Sequence, residues 1–314
     1  MRRLALTAAA LVVATPGCAA FGDDADGTQV AAAFYPLAFV ADRVAGDLAE
    51  VDNLTTPGAE PHDLELTIKE TAVIAQADLV IHEQGLQPAV DEAVEQNAAG
   101  DVLDAAAVVG LQPFADDHDD HGGEDDGHDE PHHEDDGHDH DGGLDPHFWQ
   151  DPLRMADLAD AVADRLADLD PEHADDFAAN AASLRADLED LDAAYTDGLA
   201  DCERHTIVVS HDAFGYLTRY GLEVAPVSGL SPDAEPSPAT LGELQRLIED
   251  DGITTVFSER LASPRLTRSL AADAGVTTAV LDSIEGLTDE TADQDYLSLM
   301  RANLAALREA NACR

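Results

Sequence analysis

Short apolar runs interleaved with helical stripes occur in two sets along this 314-residue chain, and that alternation constrains the fold more than any other feature. The first set lies at residues 30–34, 51–56, 78–82 and, more weakly, 101–106. The second lies at 206–210, 224–227, 254–258 and 277–281. Helical spacing falls between them: Leu37, Val40 and Val44, then 68–77 and 88–96, and later 213–220, 240–250, 264–274 and 294–308. Strands alternating with helices predict parallel sheets with helices on their faces.

The two sets are separated by continuous helix. Leu158, Val162, Leu166 and Leu169 recur at helical spacing, and Pro171 stops that helix and opens the next, since proline is tolerated in a first turn. Phe177, Ala181, Leu184, Leu188, Leu191, Tyr195 and Leu199 then mark a second stripe. It runs for roughly 29 residues, or about 43 Å. That exceeds one small domain, so a strut is expected. The predicted architecture is α/β: two lobes, each with a parallel-type sheet flanked by helices, joined by one long rigid backbone helix. The boundaries are a signal peptide at 1–18, a tether at 19–27, an N-terminal lobe at 28–170, a linker helix at 171–200 and a C-terminal lobe at 201–314.

Arg2 and Arg3 precede an apolar run at 4–14 that is shorter than the roughly 20 residues a bilayer requires, so it reads as a signal peptide. Cys18, after Thr15-Pro16-Gly17, resembles a lipoprotein cleavage site. Ordinary cleavage after Ala20 is the rival reading and would discard the cysteine. In an exported protein the even remainder, Cys202 and Cys313, suggests one disulfide. The formal net charge of −50 excludes nucleic acid as a partner. It concentrates cations without selecting among them, and it suits salty surroundings that screen self-repulsion. Residues 116–143 are almost wholly Asp, Glu, His and Gly, and carry His118, His121, His128, His132, His133, His138 and His140. Such a segment cannot bury enough surface to offset its ordering entropy. A disordered loop is expected, serving either as solvated filler or as a weak multi-site metal collector.

Four residues outside that loop share a position in the pattern. His62 lies in the loop after the second strand, His147 just before a helix, His211 at the end of IVVSH and Asp282 at the end of TTAVLD. In open α/β sheets ligands gather beyond the carboxyl ends of strands. Two of the four come from each lobe, so they could converge between the lobes. Three imidazoles and a carboxylate suit tetrahedral Zn²⁺, whereas Mn²⁺ prefers a larger share of oxygen. Taken singly, each residue could instead be a surface or packing group, with Asp282 capping a turn. There is no HExxH, no GxSxG and no evident nucleophile–base pair, so catalysis is not expected. His82, His173 and His205 read as structural or surface residues.

At these residues the chain resembles the zinc- and manganese-type solute-binding proteins of ABC importers, and specifically their zinc-uptake branch. The resemblance rests on PHDLEL at 61–66 with ADLVI at 77–81, DPHFWQDP at 145–152 and SHDAFGYLTRYGL at 210–222. It continues in SPDAEPSP at 231–238, VFSE at 256–259 and LDSIEGL at 281–287. The His-rich acidic loop is a further trait of that branch. The resemblance implies two α/β lobes on a backbone helix, Zn²⁺ rather than Mn²⁺ as the bound ion, and ligands at His62, His147, His211 and Asp282. Manganese-selective relatives have a glutamate where this chain has His211. Glu60 lies two residues before the first histidine, so Glu60 or water competes with Asp282 for the fourth place. Glu235 and Glu259 match acidic positions of the family and are expected to be structural. The implied protein is a monomer tethered outside the cytoplasm through Cys18, delivering its ion to a membrane permease. A manganese-binding protein, an adhesin or an extracellular zinc buffer is the alternative.

Overall fold

The computed structural model describes residues 27–114, 143–232 and 234–314. The expected signal peptide, Cys18 and the seven histidines of the acidic loop lie outside the described residues.

The first sheet takes the order β2-β1-β3-β4, with every neighbouring pair parallel. Its strands are β1 (Thr28–Ala32), β2 (Ala49–Asn53), β3 (Leu79–His82) and β4 (Asp101–Asp104). Helices α1 (Tyr35–Ala45), α2 (Ile68–Gln76) and α3 (Pro88–Asn97) connect them, and the short α4 (Ala105–Val109) follows β4. The central strands carry the apolar runs: Ala31, Ala32, Leu79, Val80 and Ile81 are fully buried, as strands covered on both faces must be. The edge strand β2 (AEVDN) is more polar and half exposed. Local signals set the helix starts. Thr67 and Glu70 form a reciprocal capping box on α2, and Pro36 sits in the first turn of α1.

A two-stranded antiparallel ribbon pairs β5 (Gln112–Pro113) with β6 (Leu144–Asp145). Helix α5 (Pro152–Leu169) then packs along α6 (Ala174–Leu199). The second sheet has the order β10-β9-β7-β8 and is also wholly parallel. It is built from β7 (Thr206–Val209), β8 (Glu223–Pro226), β9 (Thr255–Ser258) and β10 (Thr277–Val280), with α7 (Pro238–Asp250), α8 (Arg265–Ala274) and the C-terminal α9 (Tyr296–Ala310).

Helix α6 has 26 residues, about 39 Å, because residues Pro171–His173 form a 3-10 turn ahead of it. Its stripe from Phe177 to Leu199 is buried. It does not bridge open space: one apolar core runs from Val30 and Leu79 through Leu184 and Leu188 to Val209, Phe257 and Leu281. A smaller cluster of Val208, Val256, Leu244, Ile248 and Leu270 lies against the second sheet. The helix expected at 213–220 is instead a 3-10 segment, Gly215–Tyr220. Gly215 lies so close to Asp145 that an added Cβ would force its carboxylate to shift. Cys202 and Cys313 form a disulfide across 111 residues, and Arg314 N–H donates to Asp201 O beside it. No helix among the described residues is long and apolar enough to cross a membrane.

Candidate metal centre

Both parallel sheets direct the carboxyl ends of their strands toward one region, and the loops leaving those ends carry the site. The loop after β2 is held by Gly58 N–H donating to Leu287 O (2.7 Å) and by the buried Gln87, whose amide donates to Pro61 O (3.1 Å). This places His62, whose own N–H donates to Glu60 Oε2 (3.1 Å). His147 follows β6. Asp145 Oδ1 accepts both the backbone N–H of His147 (3.0 Å) and its ring Nδ1–H (2.9 Å). The Asp145 carbonyl in turn accepts from the Tyr216 hydroxyl at 2.8 Å. His211 lies just beyond β7, and its Nδ1 donates to Glu259 Oε1 at 2.7 Å, an oxygen that also accepts from Ser210 Oγ.

With Nδ1 committed to a carboxylate in His147 and His211, Nε2 is the ring nitrogen turned toward the pocket, the arrangement that orients ligating imidazoles. They point at one place. Glu285 Oε1 lies 3.3 Å from His211 Nε2, 3.6 Å from His62 Nε2 and 3.7 Å from His147 Nε2. Ring centroids are 5.4 Å apart for His62 and His147, 5.5 Å for His147 and His211, and 6.1 Å for His62 and His211. One donor atom from each of the four residues lies within 4.8 Å of all the others. His147 and His211 are fully buried and Glu285 is 1% exposed.

All four inward atoms, the three Nε2 and Glu285 Oε1, are buried without a hydrogen-bond partner. Stranding one such group costs about 1–3 kcal/mol, so four converging ones require a shared partner. Charge points the same way. Burial lifts a carboxyl, but the imidazoles of His211 and His62 close beside it outweigh that and hold Glu285 well below the usual carboxylate range. Burial also lowers an imidazole, yet Glu259 and Glu285 together push His211 up to about 10. His62 is raised too, its burial offset by Glu285 and Glu60. The pocket is built for positive charge, and three nitrogens with one carboxylate oxygen match the donor set of a tetrahedral Zn²⁺ site.

Two expectations need correction. Asp282 does not join the histidines. Its Oδ1 accepts from Ile284 N–H (2.9 Å), and its Oδ2 lies 3.0 Å from Arg260 Nε, an ion pair that falls short of a directed hydrogen bond. The carboxylate that reaches the imidazoles is Glu285, three residues further on. Glu60 stands beside His62 but outside the four-atom group. Its Oε1 is buried, and burial pushes its pKa up to about 7 against the pull of His62. Glu259, expected to be structural, proves to orient His211, whereas Glu235 is exposed and only 3.9 Å from Arg265. His82 pairs with Asp91 (3.0 Å) and His173 with Asp170 (2.6 Å). Neither these nor His205 belongs to the cluster.

Two covered parallel sheets thus hold a buried cluster of three imidazoles and one carboxylate near their strand ends. Residues 30–310 match the pattern of the zinc-uptake complex component A, periplasmic, and the chain belongs to that family. It is 35% identical to the zinc-binding lipoprotein AdcA of Streptococcus pneumoniae R6 over 98% of its own length. It spans only 61% of that relative. It is 32% identical to the high-affinity zinc uptake system protein ZnuA of Bacillus subtilis 168, covering 90% of this chain and 88% of that one. Among solved structures, the laminin-binding protein of Streptococcus agalactiae superposes with a TM-score of 0.77 at 27% identity, over 90% of this chain and 99% of that one. The Zn(II)-bound ZnuA-like domain of S. pneumoniae AdcA gives 0.73 at 32% identity, over 91% and 99%.

Proposed function

We propose that this protein captures one Zn²⁺ through His62, His147, His211 and Glu285 and delivers it to the permease of an ABC importer. The observation that carries the reading is the convergence of four buried, unpartnered donors, three nitrogen and one oxygen, on a single point. Zn²⁺ favours such a set at about 2.0–2.2 Å, while Mn²⁺ favours more oxygen. Both similar chains described above as zinc-binding or zinc-uptake proteins support the cargo.

All four donors come from one chain, which fits a monomer. Each sheet lies wholly within one segment, in keeping with an N-terminal lobe at 28–170, a linker helix at 171–200 and a C-terminal lobe at 201–314. The lipoprotein relative supports an extracytoplasmic protein tethered through a lipidated Cys18. The histidines of the 116–143 segment act as a weaker collector of the same ion. Competition against a chromophoric chelator tests the central reading. One tight Zn²⁺ equivalent is expected, lost on His147→Ala or His211→Ala and retained when residues 116–143 are deleted. Loss of the tight equivalent on that deletion, or none in the wild type, refutes it.

A further inference from the structure

Asp282 is buried and elaborately held, yet it takes no direct part in the cluster. Its backbone is clamped from α9: Asp282 N–H donates to Asn303 Oδ1 (2.8 Å), and Asn303 Nδ2 donates to Asp282 O (2.7 Å). The next carbonyl, Ser283 O, accepts from Trp149 Nε1 (2.8 Å) and Gln150 Nε2 (2.7 Å), both in the 3-10 turn that follows His147. Ile284 then has a φ of +61° and is fully buried. A β-branched residue adopts that left-handed conformation only where its surroundings hold it there. What holds it is Asp282, whose Oδ1 accepts the Ile284 N–H while its Oδ2 is fixed by Arg260. Glu285 is the next residue, and the backbone turn at Ile284 sets the direction of its side chain.

We propose that Asp282 is a positioning residue, anchored by Arg260, that holds Ile284 in its left-handed turn and thereby aims Glu285 at the three imidazoles. This rests on the zinc-binding reading above. The linkage reaches outward. Arg260 also pairs with the exposed Glu290 (2.8 Å) and lines a cavity of about 520 Å³ beside Pro57, Gly58 and Arg268. A carboxylate at 282 therefore contributes to affinity without touching the ion, and its contribution passes entirely through Glu285.

A double-mutant cycle separates that role from direct ligation. Zn²⁺ affinity is measured by chelator competition at one pH for wild type, Asp282→Ala, Asp282→Asn, Arg260→Met and Glu285→Gln, and for each of the first three changes combined with Glu285→Gln. The visible spectrum of the Co²⁺-loaded form is recorded for each. Asp282→Ala should weaken Zn²⁺ binding about 10- to 100-fold, the usual range for residues that orient ligands. Arg260→Met and Asp282→Asn should weaken it less. None of the three should weaken Glu285→Gln further by more than about threefold, since the group they position is already gone. The Co²⁺ bands of Asp282→Ala should resemble those of Glu285→Gln rather than wild type. Losses that multiply in the double variants, or wild-type affinity in Asp282→Ala, overturn the positioning role. If Asp282→Ala fails to fold, Asp282→Asn and Arg260→Met decide the question by the same comparison. Wild-type protein that binds no Zn²⁺ overturns the proposed function instead.

Discussion

Zinc binding should remain pH-dependent well above the range where imidazoles ordinarily titrate. In the ion-free pocket burial disfavours a charged His211, but Glu259 and Glu285 outweigh it and hold the ring protonated up to a pKa of about 10. A free histidine titrates near 6.5. At pH 7 an arriving Zn²⁺ must therefore expel a proton from His211, about three units below that pKa, at a cost of roughly 4 kcal/mol. His62, also raised, adds a second proton as the pH falls. Affinity should then weaken about tenfold per pH unit from pH 9 to 7, and more steeply below. The ion-free fold should respond in the opposite direction. A histidine raised above its unfolded value stabilises the fold fully below about pH 6.5, and that contribution fades as the pH climbs toward 10. Chelator competition from pH 6 to 9, corrected for chelator protonation, measures the first slope. Calorimetry in buffers of different ionisation enthalpy counts the protons, with about one or more expected per Zn²⁺ at pH 8. A dissociation constant unchanged between pH 7 and 9, with no proton released, refutes the reasoning.

The other predictions concern the frame around the pocket. Glu259→Ala and Asp145→Ala should each weaken Zn²⁺ binding about 10- to 100-fold by releasing the rings of His211 and His147, whereas Glu235→Ala should not, by the same competition assay. Reducing the Cys202–Cys313 bridge, or replacing both cysteines by serine, removes a cross-link over 111 residues. It should lower unfolding free energy by about 2–5 kcal/mol in denaturant titrations of the ion-free protein. With a formal charge of −50, melting temperature should rise as salt increases from 10 to 150 mM, because the Debye length shrinks from about 30 to 8 Å. A flat or falling melting curve would show that the acidic surface does not repel itself appreciably.

The sheets were legible in the sequence because buried strands such as LVIH at Leu79–His82 and TIVV at Thr206–Val209 are apolar at nearly every position. The ribbon of Gln112–Pro113 with Leu144–Asp145 was not, since two-residue strands carry no periodicity. Residues 213–220 have an apolar pattern compatible with a helix. The close approach of Gly215 to Asp145 is a tertiary contact invisible in the pattern. The histidines were legible because each lies on a segment leaving the end of a strand or ribbon, His147 and His211 just past Asp145 and Val209 and His62 in the longer loop after Asn53. The fourth donor depends on the path of a loop. Asp282 stands just past the end of β10, but the turn at Ile284 carries the chain beyond it, and an isoleucine gives no local signal of a left-handed φ. The role of Glu259 was hidden for a related reason: it meets His211 across 48 residues of sequence.

Anomalous diffraction at the zinc edge from crystals of the Zn²⁺-loaded protein tests the central claim most directly. A single strong peak should stand about 2.0–2.2 Å from Nε2 of His62, His147 and His211 and from a carboxylate oxygen of Glu285, with Asp282 still turned toward Arg260. A peak bound by Asp282 in place of Glu285, or one remote from the three imidazoles, would contradict it.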